Sequence, residues 1–329
     1  MEFIESGETD FNLIGFTWDV ITACQYRCSY CYALEWLTSP KNLKNTTAYK
    51  HVTPRLKLNS MPEFKMELLG GEPMLHPHID EIVSDLTSND KCVDLTLNTN
   101  MILPIDKLSD FAGQGLNISG SYHPEQNKDV TKFCNQIISA HQRGFTDQQL
   151  LVNINIHRDP KYIKNYIDIL RVCGEHNIFA GANYLFSTKS YKCDLTESFA
   201  NELYKGVSEL KLIPPGWDME NPKRCGVSKH RHPGQTTIRF MTNDGDVTHT
   251  NAGDVFENKL NRFKGWNCRP KLWQINSNGH IFNDCTKESL LLDNSNINGL
   301  RVCPNQACGD CEVKFRYHKT SPGRRPPVL

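Results

Sequence analysis

Residues 24–31 read CQYRCSYC and residues 64–73 read FKMELLGGEP, and these two stretches decide how the rest of the chain is read. Cys24, Cys28 and Cys31 form C-x3-C-x2-C, with aromatic Tyr30 directly before the third cysteine. Three thiolates on one short loop can hold three corners of a cubane 4Fe–4S cluster and leave the fourth iron without a protein ligand. An open coordination position separates a reactive metal site from a closed structural one. The competing reading is a zinc knuckle or three unrelated thiols, but zinc needs a fourth ligand and no Cys or His stands close by in sequence.

Outward from that loop, cysteine usage is the dominant feature. There are 13 in 329 residues, three of them within eight residues near the N-terminus and five between 268 and 311. An odd, clustered count does not read as a disulfide framework; it points to metal or iron–sulfur ligation in a reducing, cytoplasmic setting. The 37 basic and 37 acidic side chains cancel, which argues against blanket binding to nucleic-acid phosphates. The sequence has no apolar run long enough for a membrane span, and Met1 to Asp10 lacks the basic and apolar regions of a signal peptide.

Strands are expected over 11–20, 64–69, 92–98, 116–121, 150–156 and 179–186, with helices over 78–86, 129–143 and 161–173. Gly144 stands where a helix C-terminal stop is expected. Strands alternating with helices imply an α/β fold with a parallel sheet of about six βα units, fewer than the eight of a closed barrel. Residues 213–235 are rich in Pro, Gly and charge and read as a linker or lid. From Thr236 the texture becomes short antiparallel strands, at 237–241, 247–250, 272–276 and 280–282, with a turn at Asn278-Gly279. The tail from Lys314 reads as a surface extension.

The cysteine loop resembles the cluster motif of the radical S-adenosylmethionine (SAM) superfamily, including the aromatic before its last cysteine. Leu69-Gly70-Gly71-Glu72-Pro73, about 40 residues on and again after an expected strand, resembles that family's GGEP motif. The resemblance implies a partial (β/α)6 radical SAM barrel over 1–212, with Cys24, Cys28 and Cys31 as cluster ligands and catalytic centre. It implies that Gly70 to Pro73 receive the amino group of SAM, with Tyr30, Asn98, Ser121 and Asn153 as further SAM contacts. Thr99, Asn100, Ser119, His123, Asn155 and His157 are lesser candidates. The alternative for the asparagines is that they face helices or solvent. In the family, SAM chelates the open iron, reductive cleavage gives a 5′-deoxyadenosyl radical, and the radical takes hydrogen from an unactivated carbon. A flavodoxin- or ferredoxin-type protein supplies the electron.

Cys268, a hairpin, Cys285 and then Cys308-Gly309-Asp310-Cys311 resemble the SPASM/twitch extension of one branch of that superfamily. The resemblance implies a small C-terminal α+β twitch-like domain over 236–318, a tail over 319–329, and an auxiliary 4Fe–4S cluster on Cys268, Cys285, Cys308 and Cys311. Cys303 is left over, either as a replacement for one of these four or as a free thiol. A structural zinc site also suits four cysteines ending in C-x2-C. Cys92, Cys134 and Cys173 read as small buried hydrophobes. Cys193 and Cys225 stand in irregular segments as candidate hydrogen donors. Phe145, Trp217 and Trp266 read as packing residues, and His230, His232 and His249 as solvated ones.

Three functions are weighed. One is a radical SAM oxidoreductase acting on a peptide or protein side chain, as SPASM/twitch relatives often do. With 23 residues before Cys24, a leader-recognition domain is not expected. The second is a dehydrogenase or rearrangement enzyme on a sugar, aminocyclitol or nucleoside. The third, a non-enzymatic iron–sulfur or zinc protein, leaves Gly70 to Pro73 unexplained.

Overall fold

The computed structural model describes residues 3–6, 14–31, 33–35, 37, 63–185, 196–217, 237–241, 247–251, 267–270, 272–282, 301–302 and 317–320. The expected parallel sheet is present. Strands β2 (Ile14–Ile21), β3 (Phe64–Gly70), β4 (Cys92–Thr99), β5 (Leu116–Tyr122), β6 (Leu150–Ile156) and β7 (Phe179–Tyr184) pair in chain order, each parallel to the next. Such pairing requires a crossover on one face. Helices α1 (Ile79–Thr87), α2 (Val130–Gln142), α3 (Ile163–Glu175) and α4 (Glu197–Ser208) follow β3, β5, β6 and β7, and a short 3-10 segment, Asp106–Phe111, stands between β4 and β5.

Local signals set these helices. The Asp129 carboxylate accepts from Lys132 N at the start of α2, and Gly144 takes φ +100° just past its end. Thr196 caps α4 in the same way. Each helix buries one stripe, such as Phe133, Ile137 and Ala140 on α2 and Tyr166, Ile169 and Leu170 on α3. The stripes meet the apolar face of the sheet: Tyr122 of β5 packs edge-on against Phe133 at 5.2 Å and Tyr166 at 6.1 Å. Cys134 and Cys173 lie buried in this layer as free thiols, as expected of small hydrophobes, and Phe145 and Trp217 are also buried. Cys92 is a free, half-buried thiol at the start of β4.

Two strand pairings differ from expectation. Leu272–Ile275 (β11) does form an antiparallel hairpin with Ile281–Phe282 (β12), but it also pairs parallel with β2 and so extends the main sheet. The cause is burial. Trp273 and Ile275 are fully buried and continue the apolar layer of Phe16 and Trp18, their register partners. The tail is not wholly a surface extension. Tyr317–Thr320 (β14) lies in a second, antiparallel sheet of order β13-β10-β14-β1-β8-β9. Its other members are Phe3–Ser6 (β1), Thr237–Met241 (β8), Val247–Asn251 (β9), Asn267–Pro270 (β10) and Arg301–Val302 (β13). Unpaired strand edges recruit any chain with free backbone groups, which is why a short polar segment can be captured between β1 and β10.

Cys268 stands on β10. Cys193, Cys225, Cys285, Cys303, Cys308 and Cys311 lie outside the described residues, as do 218–235, His230, His232 and Trp266.

Candidate functional site

The cysteine loop leaves the end of β2 and is gripped by the ends of the next three strands. From β3, Gly71 N donates to Ile21 O at 2.7 Å and Glu72 N to Ala23 O at 2.8 Å. Both glycines are required by this approach. Gly70 has φ +130°, and a Cβ on it would stand 2.2 Å from Ile21 O, while one on Gly71 would stand 2.1 Å from Ala23 O. From β4, Asn100 Oδ1 accepts from Gln25 Nε2 at 3.1 Å. From β5, Glu125 accepts from Ser29 N at 2.7 Å and Ser29 Oγ at 2.6 Å, and Gln126 Nε2 donates to Arg27 O at 3.2 Å. The Arg27 guanidinium closes the loop on itself, donating to Cys24 O and Tyr26 O.

Within that grip, Cys24, Tyr26 and Cys28 form one buried cluster, with Tyr30, Cys31, Leu37 and Ile102 packed against it. All three thiols are free. Burial raises the Cys24 thiol and pushes Cys28 up to about 12, the latter against a Tyr30 hydrogen bond that lowers it. Neutral thiols fit such a pocket, and thiolates need a cation to offset their buried charge. Three free thiols on one loop, two of them buried and Cys31 partly exposed beside them, are a donor set suited to iron–sulfur ligation. Among the described residues, no group of three or more His, Cys, Asp or Glu converges on a single metal ion.

Glu72 is buried at 1% exposure and its carboxylate is already well used. It accepts from Thr99 Oγ1 at 2.6 Å, Met74 N at 3.0 Å and Asn100 N at 2.8 Å. Burial raises its pKa while these donors oppose the rise. Glu72 therefore bolts the end of β4 to the GGEP segment, and Pro73 opens the 3-10 turn it caps.

The remaining expected residues share the face opposite the helices. Asn153 Nδ2 donates to Ser119 Oγ at 2.8 Å, and Ser121 is the register partner of Asn153. Asn98 pairs in register with Ser119. Asn155 donates to Tyr122 O and accepts from Asn183 Nδ2 at 2.6 Å. Lower on the same face, Asp94 meets Lys65 at 3.3 Å and Asn117 at 2.9 Å. The asparagines thus turn away from the helices. His123 is drawn into the cysteine loop, 3.2 Å from Tyr30 Oη and 3.5 Å from Cys28 Sγ. Glu125, Gln126, Gln25 and Asn183 were not singled out from sequence. Glu125 and Gln126 stand three and four residues past the end of β5, the end of a parallel strand where α/β proteins place their sites.

No family model matches the sequence. The chain is 32% identical over 93 residues to a GTP 3′,8-cyclase of Microcystis aeruginosa, covering 28% of either chain. It is 26% identical over 130 residues to a GTP 3′,8-cyclase of Desulforamulus reducens, covering 34% of this chain and 36% of that one. The chain thus spans about a third of the curated relatives it matches. The Streptococcus suis SuiB structure bound to precursor peptide SuiA superposes with TM-score 0.50 at 15% identity, over 85% of this chain and 63% of that one. The fold is that of a partial radical SAM barrel. The comparisons support the radical SAM superfamily. In that frame the end of β2 carries the cluster-type cysteine loop, and the polar face of β4 to β7 is the inside of the barrel.

Proposed function

We propose that this chain is a radical SAM oxidoreductase whose SAM-binding 4Fe–4S cluster is held by Cys24, Cys28 and Cys31. The observation that carries the reading is the loop itself: three free thiols, two buried in one cluster and the partly exposed Cys31 packed against it, gripped by the ends of β3, β4 and β5. The cluster and SAM together would supply a 5′-deoxyadenosyl radical that takes hydrogen from an unactivated carbon. The protein's own residues position and exclude water. Gly70 and Gly71 keep side chains out of the space beside the loop, and Glu72 fixes the GGEP backbone so that its carbonyls can accept from the SAM ammonium group. Tyr30 lies at the loop's exit, and Asn98, Ser121 and Asn153 offer amide and hydroxyl groups to the rest of SAM.

Residues 236–318 form the proposed twitch-like domain, with an auxiliary cluster on Cys268, Cys285, Cys308 and Cys311 that assists electron transfer. The barrel is proposed over 1–212, the linker or lid over 213–235 and the tail over 319–329, with β1 contributed to the second sheet and β11 and β12 to the first. A flavodoxin- or ferredoxin-type donor and a cytoplasmic setting complete the reading. Among the described residues, no helix is long and apolar enough to cross a membrane.

The substrate is a peptide or protein side chain in this proposal. SuiB, whose fold this chain shares, is known with a precursor peptide bound. The second reading, a small molecule such as a nucleoside, draws on the GTP 3′,8-cyclase matches. Crosslinking of the reconstituted enzyme to candidate peptides, against deuterium transfer into 5′-deoxyadenosine from labelled nucleosides, separates the two. Release of 5′-deoxyadenosine from SAM and dithionite, absent in Cys28→Ala, tests the core of the proposal.

A further inference from the structure

His123 directly follows β5 beside the cysteine loop and is the part of the grip whose chemistry is not yet accounted for. Its Nδ1 lies 3.5 Å from Cys28 Sγ, 3.2 Å from Tyr30 Oη and 3.5 Å from Asn155 Nδ2. Its ring is held on two sides, stacked on Tyr30 with an interplanar angle of 7° and edge-on to Tyr26 at 5.8 Å. The side chain therefore has little freedom to turn another atom toward the sulfur.

Donor and acceptor identity then decides what the contact does. A protonated thiol can donate to a bare Nδ1. A metal-bound thiolate can only accept, so the contact survives cluster loading only when Nδ1 carries the hydrogen. The other neighbours allow this tautomer. Tyr30 Oη has lone pairs to share, and Asn155 Nδ2 already donates to Tyr122 O at 2.9 Å. A neutral ring carries one hydrogen, and its position follows the strongest acceptor nearby.

We infer that His123 is a positioning residue for the cluster, with Nδ1–H donating to the sulfur of Cys28 and raising the potential at which the cluster accepts an electron. This rests on the cluster reading above. Hydrogen bonds to ligand sulfurs are among the levers that set iron–sulfur potentials, because they stabilise the extra negative charge of the reduced state. The arrangement would couple the end of β5 to the electronic state of the cluster.

The test compares two substitutions of similar size. His123→Asn keeps an amide N–H near the Nδ1 position, and His123→Leu removes the donor. Each is reconstituted with iron and sulfide in the full chain and titrated by EPR, following the signal that Cys28→Ala abolishes. Expected is a normal iron content in both and a shift to lower potential in His123→Leu alone. At fixed poise its reduced-to-oxidised ratio should fall about tenfold, equivalent to about 59 mV for one electron. Equal potentials in His123→Leu and wild type would overturn the inference, as would equal shifts in both variants. Should His123→Leu fail to load iron, pulsed EPR of the reduced wild-type protein with nitrogen-15-labelled histidine decides. A nitrogen coupling that His123→Asn removes supports the hydrogen bond, and absence of the coupling overturns it. Failure of the wild-type protein to take up iron at all would instead remove the cluster reading, and this inference with it.

Discussion

The two faces of the same parallel strands have opposite chemistry. Toward the helices, β5 and β6 present Leu116, Ile118, Tyr122, Leu150, Val152, Ile154 and Ile156, all at or below 1% exposure. Toward the barrel interior the same strands present Asn117, Ser119, Ser121, Asn153 and Asn155. Parallel strands covered on both faces by a packed core read as continuous apolar runs. These alternate instead, so the interior of this partial barrel is not a packed core, unlike the side-chain layers that fill a closed eight-stranded one. The outer face holds the fold together, and the inner face is free to recognise polar groups at the strand ends, beside the cysteine loop.

Substitutions that separate stability from activity would break or sharpen that contrast. The largest effect on cluster assembly is expected at the junction of the two regions. Gly71→Ala places a Cβ 2.1 Å from Ala23 O, where backbone must move. It should abolish iron uptake on reconstitution and cost about 1–3 kcal/mol in urea unfolding. On the outer face, Ile154→Ala should cost about 2–5 kcal/mol, read as a lower urea midpoint. Once folded it should keep normal iron content. On the inner face, Asn153→Ala loses one half-buried hydrogen bond, to Ser119, and should cost only about 0.5–1.5 kcal/mol. Its SAM affinity, measured by calorimetry on the reconstituted protein, should nevertheless fall. The smallest effect is expected low on the inner face. Lys65 and Asp94 are 46% and 35% exposed, so Lys65→Met should change stability by at most about 1 kcal/mol. SAM affinity should stay as in wild type. Equal loss of SAM affinity from Lys65→Met and Asn153→Ala would show that the inner face has no functional gradient along the strands.

Much of the barrel was legible because its signals are local. Strand-type runs located β2 to β7, helical spacing and a Gly stop located α2, and the cysteine spacing and Gly-Gly pair located the loop and its partner. What escaped depends on distant partners. Nothing in Leu272 to Ile275 announces a parallel partner more than 250 residues earlier, because an apolar–polar alternation suits either direction of pairing. Tyr317 to Thr320 is short and polar, and only the strands on either side make it a strand. Glu72 reads from its motif as a ligand contact, yet its three hydrogen bonds to Thr99, Asn100 and Met74 show a bracing role that spacing does not encode. The grip of Glu125 and Gln126 on residues 27–29 joins segments almost 100 positions apart.

The central claim is that the loop of Cys24, Cys28 and Cys31 holds an iron–sulfur cluster that cleaves SAM. The most direct measurement is anaerobic reconstitution of wild type and Cys28→Ala, with iron counted and 5′-deoxyadenosine quantified after dithionite and SAM. The account predicts about eight irons per wild-type chain if both proposed clusters assemble, about four fewer in Cys28→Ala, and 5′-deoxyadenosine from wild type alone. Equal iron and equal product in the two proteins, or a wild-type chain that takes zinc and releases no 5′-deoxyadenosine, would contradict it.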